Sequence, residues 1–380
     1  MANTLTSLIP DLYEAMDVIS RELVGFIPSI ARDSSLERAA VGQTVRSFVA
    51  PASVAVDIAP AQLPPNTGDQ SIGNKLITIS KAKGVPIRWN GEEQKGINFG
   101  PGYQNVRRDQ MSQAMRNITN QIEADCATMY SGASRLVAPS ASTLFSAGLK
   151  DIANARKVLV DNGAPMDDVS LVMSSTAGAE LRGLAQLNKA NEGGGVELLR
   201  QGVLLDVFGC AIRESAQINY TAVGTGTNYV SNHATYPVGT TSIAIDVGAG
   251  TILAGDSISF AGDANNYVVT TGFAGDGAGT IVIAAPGLLK TLADDVALTI
   301  GALTERNMMF SRNAMQLVTR IPARPVEGDR ADDVITVQDP RSGLAFEFAM
   351  YREYRQVHYE MSAAWGFAVI KPEHMLILAQ

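Results

Sequence analysis

The sequence predicts an α+β chain that carries a small all-β inserted domain, and three observations predict it. A long apolar stripe repeats at helical spacing between Met111 and Met129. Helix-like and strand-like stretches alternate over 145–220, and apolar strands return from 303 to the end. Between these parts, residues 221–302 change in composition. They hold thirteen of the 35 glycines, and apart from Lys290 their only charged residues are six aspartates.

The chain has 380 residues, which at about 150 per domain suggests two or three domains. Its net charge is −8 and its charged residues make up 18%, below the roughly 25% of ordinary soluble domains. These values argue against a basic nucleic-acid binder, a disordered chain and a collagen-like rod. A weakly charged surface goes with extensive contacts to other copies. Cys126 and Cys210 have no C-x-x-C spacing and read as two buried free thiols in a reducing compartment. The first basic residue is Arg21 and no apolar core precedes a cleavage site, so no signal peptide is expected. No run reaches 18 apolar residues, so no membrane span is expected and folding in a cytoplasm is.

Taken in order, Leu8, Leu12, Met16, Ile19 and Leu23 form one stripe of an amphipathic helix that ends at Gly25 and Pro28. Gln43 to Ile58 alternates loosely and reads as an extended arm. Leu76 to Ser80 and Val85 to Trp89, joined by Lys81-Ala82-Lys83-Gly84, read as a hairpin. Met111, Met115, Ile118, Ile122, Cys126 and Met129 then define a helix of about five turns, opposite a face of Arg107, Arg108, Gln113, Arg116, Asn117, Asn120 and Gln121. A methionine-rich stripe of this kind is a packing face. From 145 to 220 an α/β layer follows: a helix on Ile152, Ala155, Val158 and Leu159, a strand from Val169 to Met173, a helix from Ser175, and extended runs at Val203–Val207 and Cys210–Arg213. Inside 221–302 the period-2 pairs Ile243/Ile245, Ile258/Phe260, Tyr267/Val269 and Ile281/Ile283, then Val296/Leu298/Ile300, describe a small barrel or sandwich. Its expected core is Ile243, Ile245, Ile258, Phe260, Val269, Ile281 and Ile283. Leu344, Phe346, Phe348 and Met350 alternate in a late strand, and Trp365–Ile370 and Met375–Leu378 are buried runs.

Few residues offer chemistry. Asp246-Val247-Gly248-Ala249-Gly250-Thr251 follows a strand and resembles an aspartate-plus-glycine phosphate loop, but no helix follows it, which favours a hairpin turn. Gly275-Asp276-Gly277-Ala278-Gly279 lacks the strand–helix context too. His233, His358 and His374 show no metal-ligand spacing. The pairs Glu92/Glu93, Asp167/Asp168, Asp294/Asp295 and Asp332/Asp333 read as solvated turns. Tyr351, Arg352, Tyr354, Arg355 and Tyr359 interleave cations with aromatics, a pattern that binds single strands but that also fits a sheet with one wet face. No catalytic set, metal site or cofactor is expected.

The order of helical arm, extended hairpin, long helix, α/β layer and terminal strands resembles the Hong Kong 97 fold of tailed-bacteriophage major capsid proteins, over essentially the whole chain. Asp168-Val169-Ser170-Leu171-Val172-Met173-Ser174, Arg306-Asn307-Met308-Met309-Phe310 and Trp365-Gly366-Phe367 through Lys371-Pro372-Glu373 are similar to pieces of such coat proteins. Gly255-Asp256-Ser257-Ile258-Ser259-Phe260-Ala261-Gly262 resembles a phrase of podovirus-type members with an inserted β domain. The resemblance implies an N-arm over 1–60, an E-loop over 61–100, a P-domain spine helix in 101–144 and an A domain over 145–220 and 303–335. The inserted domain would be 221–302, and the P-domain strands and C-terminus 336–380. It implies a non-enzymatic protein that self-assembles, as hexamers and pentamers, into an icosahedral shell. Scaffolding protein and portal would be partners during assembly, and double-stranded DNA would be packaged without sequence-specific binding. A decoration protein would be an optional further partner, and no membrane is involved. The location implied is the virion, assembled in the bacterial cytoplasm. Lys75, Lys81, Lys83, Arg88, Trp89 and Lys95 are the E-loop residues expected to make assembly contacts. Some members join an E-loop lysine to a neighbour's asparagine, but no partner asparagine or catalytic glutamate matches a motif here. The competing readings are another phage structural or host-binding protein that uses the β insertion as its binding module, and a nucleotide-dependent enzyme built on Asp246.

Overall fold

The computed structural model describes residues 25–49, 60, 73–97, 103–141, 143–184, 187, 206–302, 304–339 and 343–380. The expected helix over Leu8–Leu23 and the proline-punctuated stretch 61–72 lie outside them. Helices are α1 (Phe26–Ser29), α2 (Gly91–Ile97), α3 (Tyr103–Ala127), α4 (Lys150–Asp161) and α5 (Ser175–Gly183). Before the insertion come strands β1 (Ala31–Ala39), β2 (Thr44–Val49), β3 (Gly73–Thr78), β4 (Lys81–Asn90), β5 (Arg135–Val137), β6 (Val169–Met173) and β7 (Cys210–Glu214). After it come β8 (Arg306–Ser311), β9 (Met315–Pro322), β10 (Ala331–Gln338), β11 (Ala345–Glu353), β12 (Gln356–Val369) and β13 (Met375–Ala379).

The fourteen-residue β12 organises the first sheet. β4 pairs with it from Gln356 to Trp365, so one edge of β12 is taken. The other edge is shared, β11 pairing along Gln356–Ser362 and β9 along Ala364–Val369. β10 lies outside β11, and β1 runs parallel to β9 outside it. The two outer strands therefore meet end to end, where Gln338 Nε2 donates to Ser34 Oγ at 2.7 Å. Period-2 burial follows from this layout. Phe348, Met361 and Val85 stand in one cross-strand row, and with Phe346, Tyr359, Ile87, Trp89 and Trp365 they face a common core.

Helix α3 lies on that face. Met111, Met115, Ile118, Ile122 and Cys126, with Met129 in the 3-10 turn Thr128–Gly132, are all buried in this core. Each such side chain contributes about 1.5–3 kcal/mol by leaving water. The odd-numbered side of β4 also holds α3 by polar contacts. Trp89 Nε1 donates to Gln110 Oε1 at 2.9 Å, Lys83 Nζ to Gln121 Oε1 at 2.7 Å, and Lys81 Nζ to Asp125 Oδ1 at 2.5 Å. Strand residue numbers fall as helix numbers rise, so the two run antiparallel.

These pairings correct the expected hairpin. β3 does not pair with β4; it pairs with β2, from Thr44↔Thr78 to Val49↔Gly73, and β4 belongs to the first sheet. Lys81-Ala82-Lys83-Gly84 looked like a turn, yet it is strand, because its partner β12 is remote in sequence. Pro86 is tolerated because β4 is an outermost strand. The two-stranded ribbon is thus 44–49 with 73–78.

In the second sheet β6 pairs with β7 in parallel and with β8 in antiparallel fashion; β8 then pairs with β13, and β13 with β5. Ile152, Ala155 and Leu159 of α4 and Ala177 and Leu181 of α5 pack on Leu171, Met173, Met309, Leu376 and Leu378. Ser174 caps α5 by accepting from Ala177 N at 3.2 Å. The chain passes between the sheets at two short 3-10 turns, Arg312–Ala314 and Pro372–His374. β9 and β10 thus pair within the first sheet and β13 within the second. Pro325 and Gly328 lie in the loop that joins β9 to β10 within one sheet.

Residues 221–302 leave and return at one point, where Thr221 N and Oγ1 donate to Thr304 O at 3.1 and 2.9 Å. Strands Ser242–Asp246, Ser257–Phe260, Asn266–Thr271, Gly279–Ile283 and Leu298–Ile300 surround a core that includes Ile243, Ile245, Ile258, Phe260, Val269, Ile281 and Ile283. This β unit is not detached. Asn266–Thr271 pairs with β5 through Asn266↔Leu136 and Tyr267↔Arg135 and so extends the second sheet. Tyr267 and Val269 face the local core, whereas Val268 points the other way into the core beneath α3. Gly255, at φ +90°, leaves room for Tyr130; a Cβ there would lie 2.2 Å from the ring.

Candidate assembly surfaces

The β2/β3 ribbon has two unlike faces. Val45 and Ile77, directly paired, sit on the side that packs with Ile79, Ala39, Val318 and Ala364. The alternate face carries Arg46, Phe48 and Leu76, with Phe48 77% and Leu76 52% exposed. Phe48 and Leu76 are diagonal cross-strand neighbours, so their apolar surfaces adjoin. Val41 at the β1–β2 turn is also exposed. An apolar patch held out on a paired ribbon is a surface that gains free energy by meeting another molecule.

The six lysine, arginine and tryptophan residues expected on a reaching loop are split by the structure. Lys75 lies on the ribbon and is exposed, and Arg88 and Lys95 are exposed on β4 and α2. Lys81, Lys83 and Trp89 instead grip α3 within the same chain. α2 begins with a reciprocal capping box, Glu93 N donating to Asn90 Oδ1 at 2.8 Å and Asn90 N to Glu93 Oε2 at 3.0 Å.

Three buried carboxylates were not singled out from sequence. Glu123 accepts from Phe26 N at 2.5 Å and Ile27 N at 3.0 Å, which fixes the start of α1 to α3. Burial pushes its carboxyl above the usual carboxylate range, opposed by those N–H donors and by Ser215. Asp125 accepts from Lys81 and, at 2.7 Å, from Trp365 Nε1. Glu347 accepts from Arg324 Nε at 2.9 Å and pairs with Arg38 at 2.5 Å. A lone glutamate within an apolar stripe, as in Ile122-Glu123-Ala124, is the one available signal. The Cys126 thiol is pushed up by burial, with Glu123 and Asp125 adding to it, and both cysteines are buried and free.

The glycines around Asp246 have a packing explanation. The strand Ser242–Asp246 ends in a turn to the two-residue strand Thr251–Ile252, with no helix. A Cβ at Gly248 would lie 2.2 Å from the Tyr229 ring, and one at Gly250, φ +93°, would lie 2.7 Å from Thr225 O. Tyr229 is buried there, and its one hydroxyl proton is shared between the carbonyls of Gly250 and Gly275. The glycines admit a tyrosine. The aromatic–cationic run near 351–359 divides as well: Tyr359 stacks on Phe348 in the core at 5.8 Å, while Tyr354 is 90% exposed in the turn before β12. Among the described residues no cluster of three metal-ligating side chains occurs, and no helix is long and apolar enough to cross a membrane.

No protein-family model and no curated protein sequence matches the chain. Among solved structures, it is similar to a chain of the capsid structure of the cyanophage P-SCSP1u, with TM-score 0.49 and 11% identity over 94% of this chain and 88% of that one. It is similar to the virus-like particle from Pyrococcus furiosus, with TM-score 0.46 and 10% identity over 98% and 99%. It is also similar to the capsid of a native GTA particle, with TM-score 0.46 and 8% identity over 94% and 91%.

Proposed function

We propose that this chain is the major capsid protein of a tailed phage, self-assembling into the icosahedral shell around double-stranded DNA. The observation that carries the reading is the β2/β3 ribbon: one face is anchored on the first sheet and the other presents Phe48 and Leu76 to a neighbour. A long helix laid across the first sheet, a two-stranded ribbon and a second sheet flanked by helices correspond to the spine helix, E-loop and A domain of the Hong Kong 97 plan. In this assignment the β2/β3 ribbon belongs to the E-loop, α3 with the first sheet is the P domain, and β5–β8 with β13 form the A domain. The 221–302 unit is the inserted domain, acting as a structural element. Hexamers and pentamers of this chain, a scaffolding protein and a portal are the partners, and the role is structural, not enzymatic. The host-binding alternative is less supported, since a free binding module would not lend Val268 to the main core.

Analytical sedimentation and electron microscopy of the purified chain test the proposal. Megadalton closed shells are the expected product, and a stable monomer or small oligomer under all assembly conditions contradicts it.

A further inference from the structure

A cavity of about 320 Å³ opens where three parts of the fold meet: β5, α4 and the start of the strand Asn266–Thr271. That is room for about ten waters at roughly 30 Å³ each. β5 contributes Arg135, α4 contributes Asn154 and Lys157, and the 221–302 unit contributes Asn265 and Asn266. Arg135 is only 7% exposed, and the groups it donates to are neutral amides. Its Nη1 donates to Asn265 Oδ1 at 3.2 Å and its Nη2 to Asn162 Oδ1 at 2.6 Å, while Nε, also buried, has no hydrogen-bond partner. The acids nearby are engaged elsewhere. Asp263 accepts from the Tyr267 hydroxyl and from Asn265 N and Nδ2, and Asp161 Oδ2 lies 3.5 Å from Lys157 Nζ at the surface. Burial accordingly lowers the Arg135 guanidinium from its ordinary value, and Asp161, Tyr267 and Asp263 offset this only in part.

A buried cation held by amides alone is stabilised by an anion that reaches it. The lining groups stand on three separate walls. A planar carboxylate is best met by two parallel N–H bonds from one guanidinium, and here Nη1 and Nη2 are already taken by asparagines. Oxygens that diverge from a tetrahedral centre suit donors on different walls. We propose that this cavity is a binding site for a phosphate-class tetrahedral oxyanion, held by Arg135 Nε and Lys157 Nζ with the side-chain amides of Asn154 and Asn266 around it. Because its walls belong to different elements, the bound anion ties the 221–302 unit to β5 and α4. The inference holds for the single subunit and does not rest on the capsid reading.

The test titrates inorganic phosphate into the full-length unassembled chain by calorimetry and follows its melting temperature, with chloride at matched ionic strength as the reference. Phosphate also stabilises folded proteins by exclusion from their surfaces, an effect that does not saturate and needs no particular side chain. Lys157→Glu alters an exposed residue of the site, and Lys150→Glu, about 10 Å back along α4, is the control. Unchanged circular dichroism shows that both variants fold. The expected result is saturable binding of one phosphate per chain, with a melting temperature that rises as the site fills. Affinity is expected to fall at least tenfold in Lys157→Glu and to stay within twofold in Lys150→Glu. Sulfate is expected to displace phosphate, and acetate is not. The proposal is overturned if no saturable binding occurs, if the two variants lose affinity equally or not at all, or if acetate displaces phosphate as well as sulfate does. It is also overturned if a duplex oligonucleotide displaces phosphate at lower concentration than sulfate, which would make the cavity a contact for a nucleic-acid backbone.

Discussion

The β2/β3 ribbon and the 221–302 unit are both excursions from the main body, yet they solve burial in opposite ways. The 221–302 unit closes strands around its own core, returns the chain to its starting point, and extends the second sheet. The ribbon has two strands, too few to bury both faces, and leaves Phe48 and Leu76 outside. An excursion that closes on itself serves the subunit. One that stays half-open needs a second molecule. Substitutions in the two regions therefore separate subunit stability from association.

The largest effect is expected at the junction. Val268→Asp places an unpaired charge in the core beneath α3 and costs about 3–5 kcal/mol. Urea unfolding followed through the combined fluorescence of Trp89 and Trp365, both in that core, is expected to shift as one transition. An independent module would instead melt alone and leave the tryptophan signal in place. Next comes Gly248→Ala, whose Cβ meets the Tyr229 ring and costs about 1–3 kcal/mol, seen as a lower melting temperature. A loop that merely awaited phosphate would accept the methyl group without loss.

A smaller effect tests the clamp between α1 and α3. Glu123 is raised in the folded state above its ordinary value of 4.5, so the native protein retains this proton to higher pH than the unfolded chain. Stability from this group is fully present below 4.5 and falls as pH rises through the folded value. The difference in unfolding free energy between the natural chain and Glu123→Gln should decline with pH over that window. A flat difference would place the Glu123 carboxyl in an ordinary aqueous setting.

Much of this architecture is legible locally. The α3 stripe is legible because a helix buries one face at its own period, and all six predicted residues lie in one core. The β unit is legible by composition, since short strands joined by tight turns need glycine. Long-range pairing is not legible. β4 finds its partner some 275 residues on, and the crossings at Arg312–Ala314 and Pro372–His374 lie between apolar runs that look alike. Nor are the buried acids: Glu123 acquires its role only when Phe26 and Ile27 are brought to it. Lys81 and Trp89 likewise look like loop residues until α3 is placed beside them. For the surfaces, alternation around Phe48 and Leu76 marks a strand face, but only the tertiary structure tells which face is covered.

The smallest effect on the subunit decides the central claim. Phe48→Ser combined with Leu76→Ser removes exposed apolar surface and is expected to change the subunit's unfolding free energy by no more than about 0.5 kcal/mol. Assembly is measured by electron microscopy and sedimentation at matched concentration. The account predicts closed shells from the natural chain and few or none from the double variant, which remains folded as small species. Shells formed at the natural rate and yield by the double variant would contradict it.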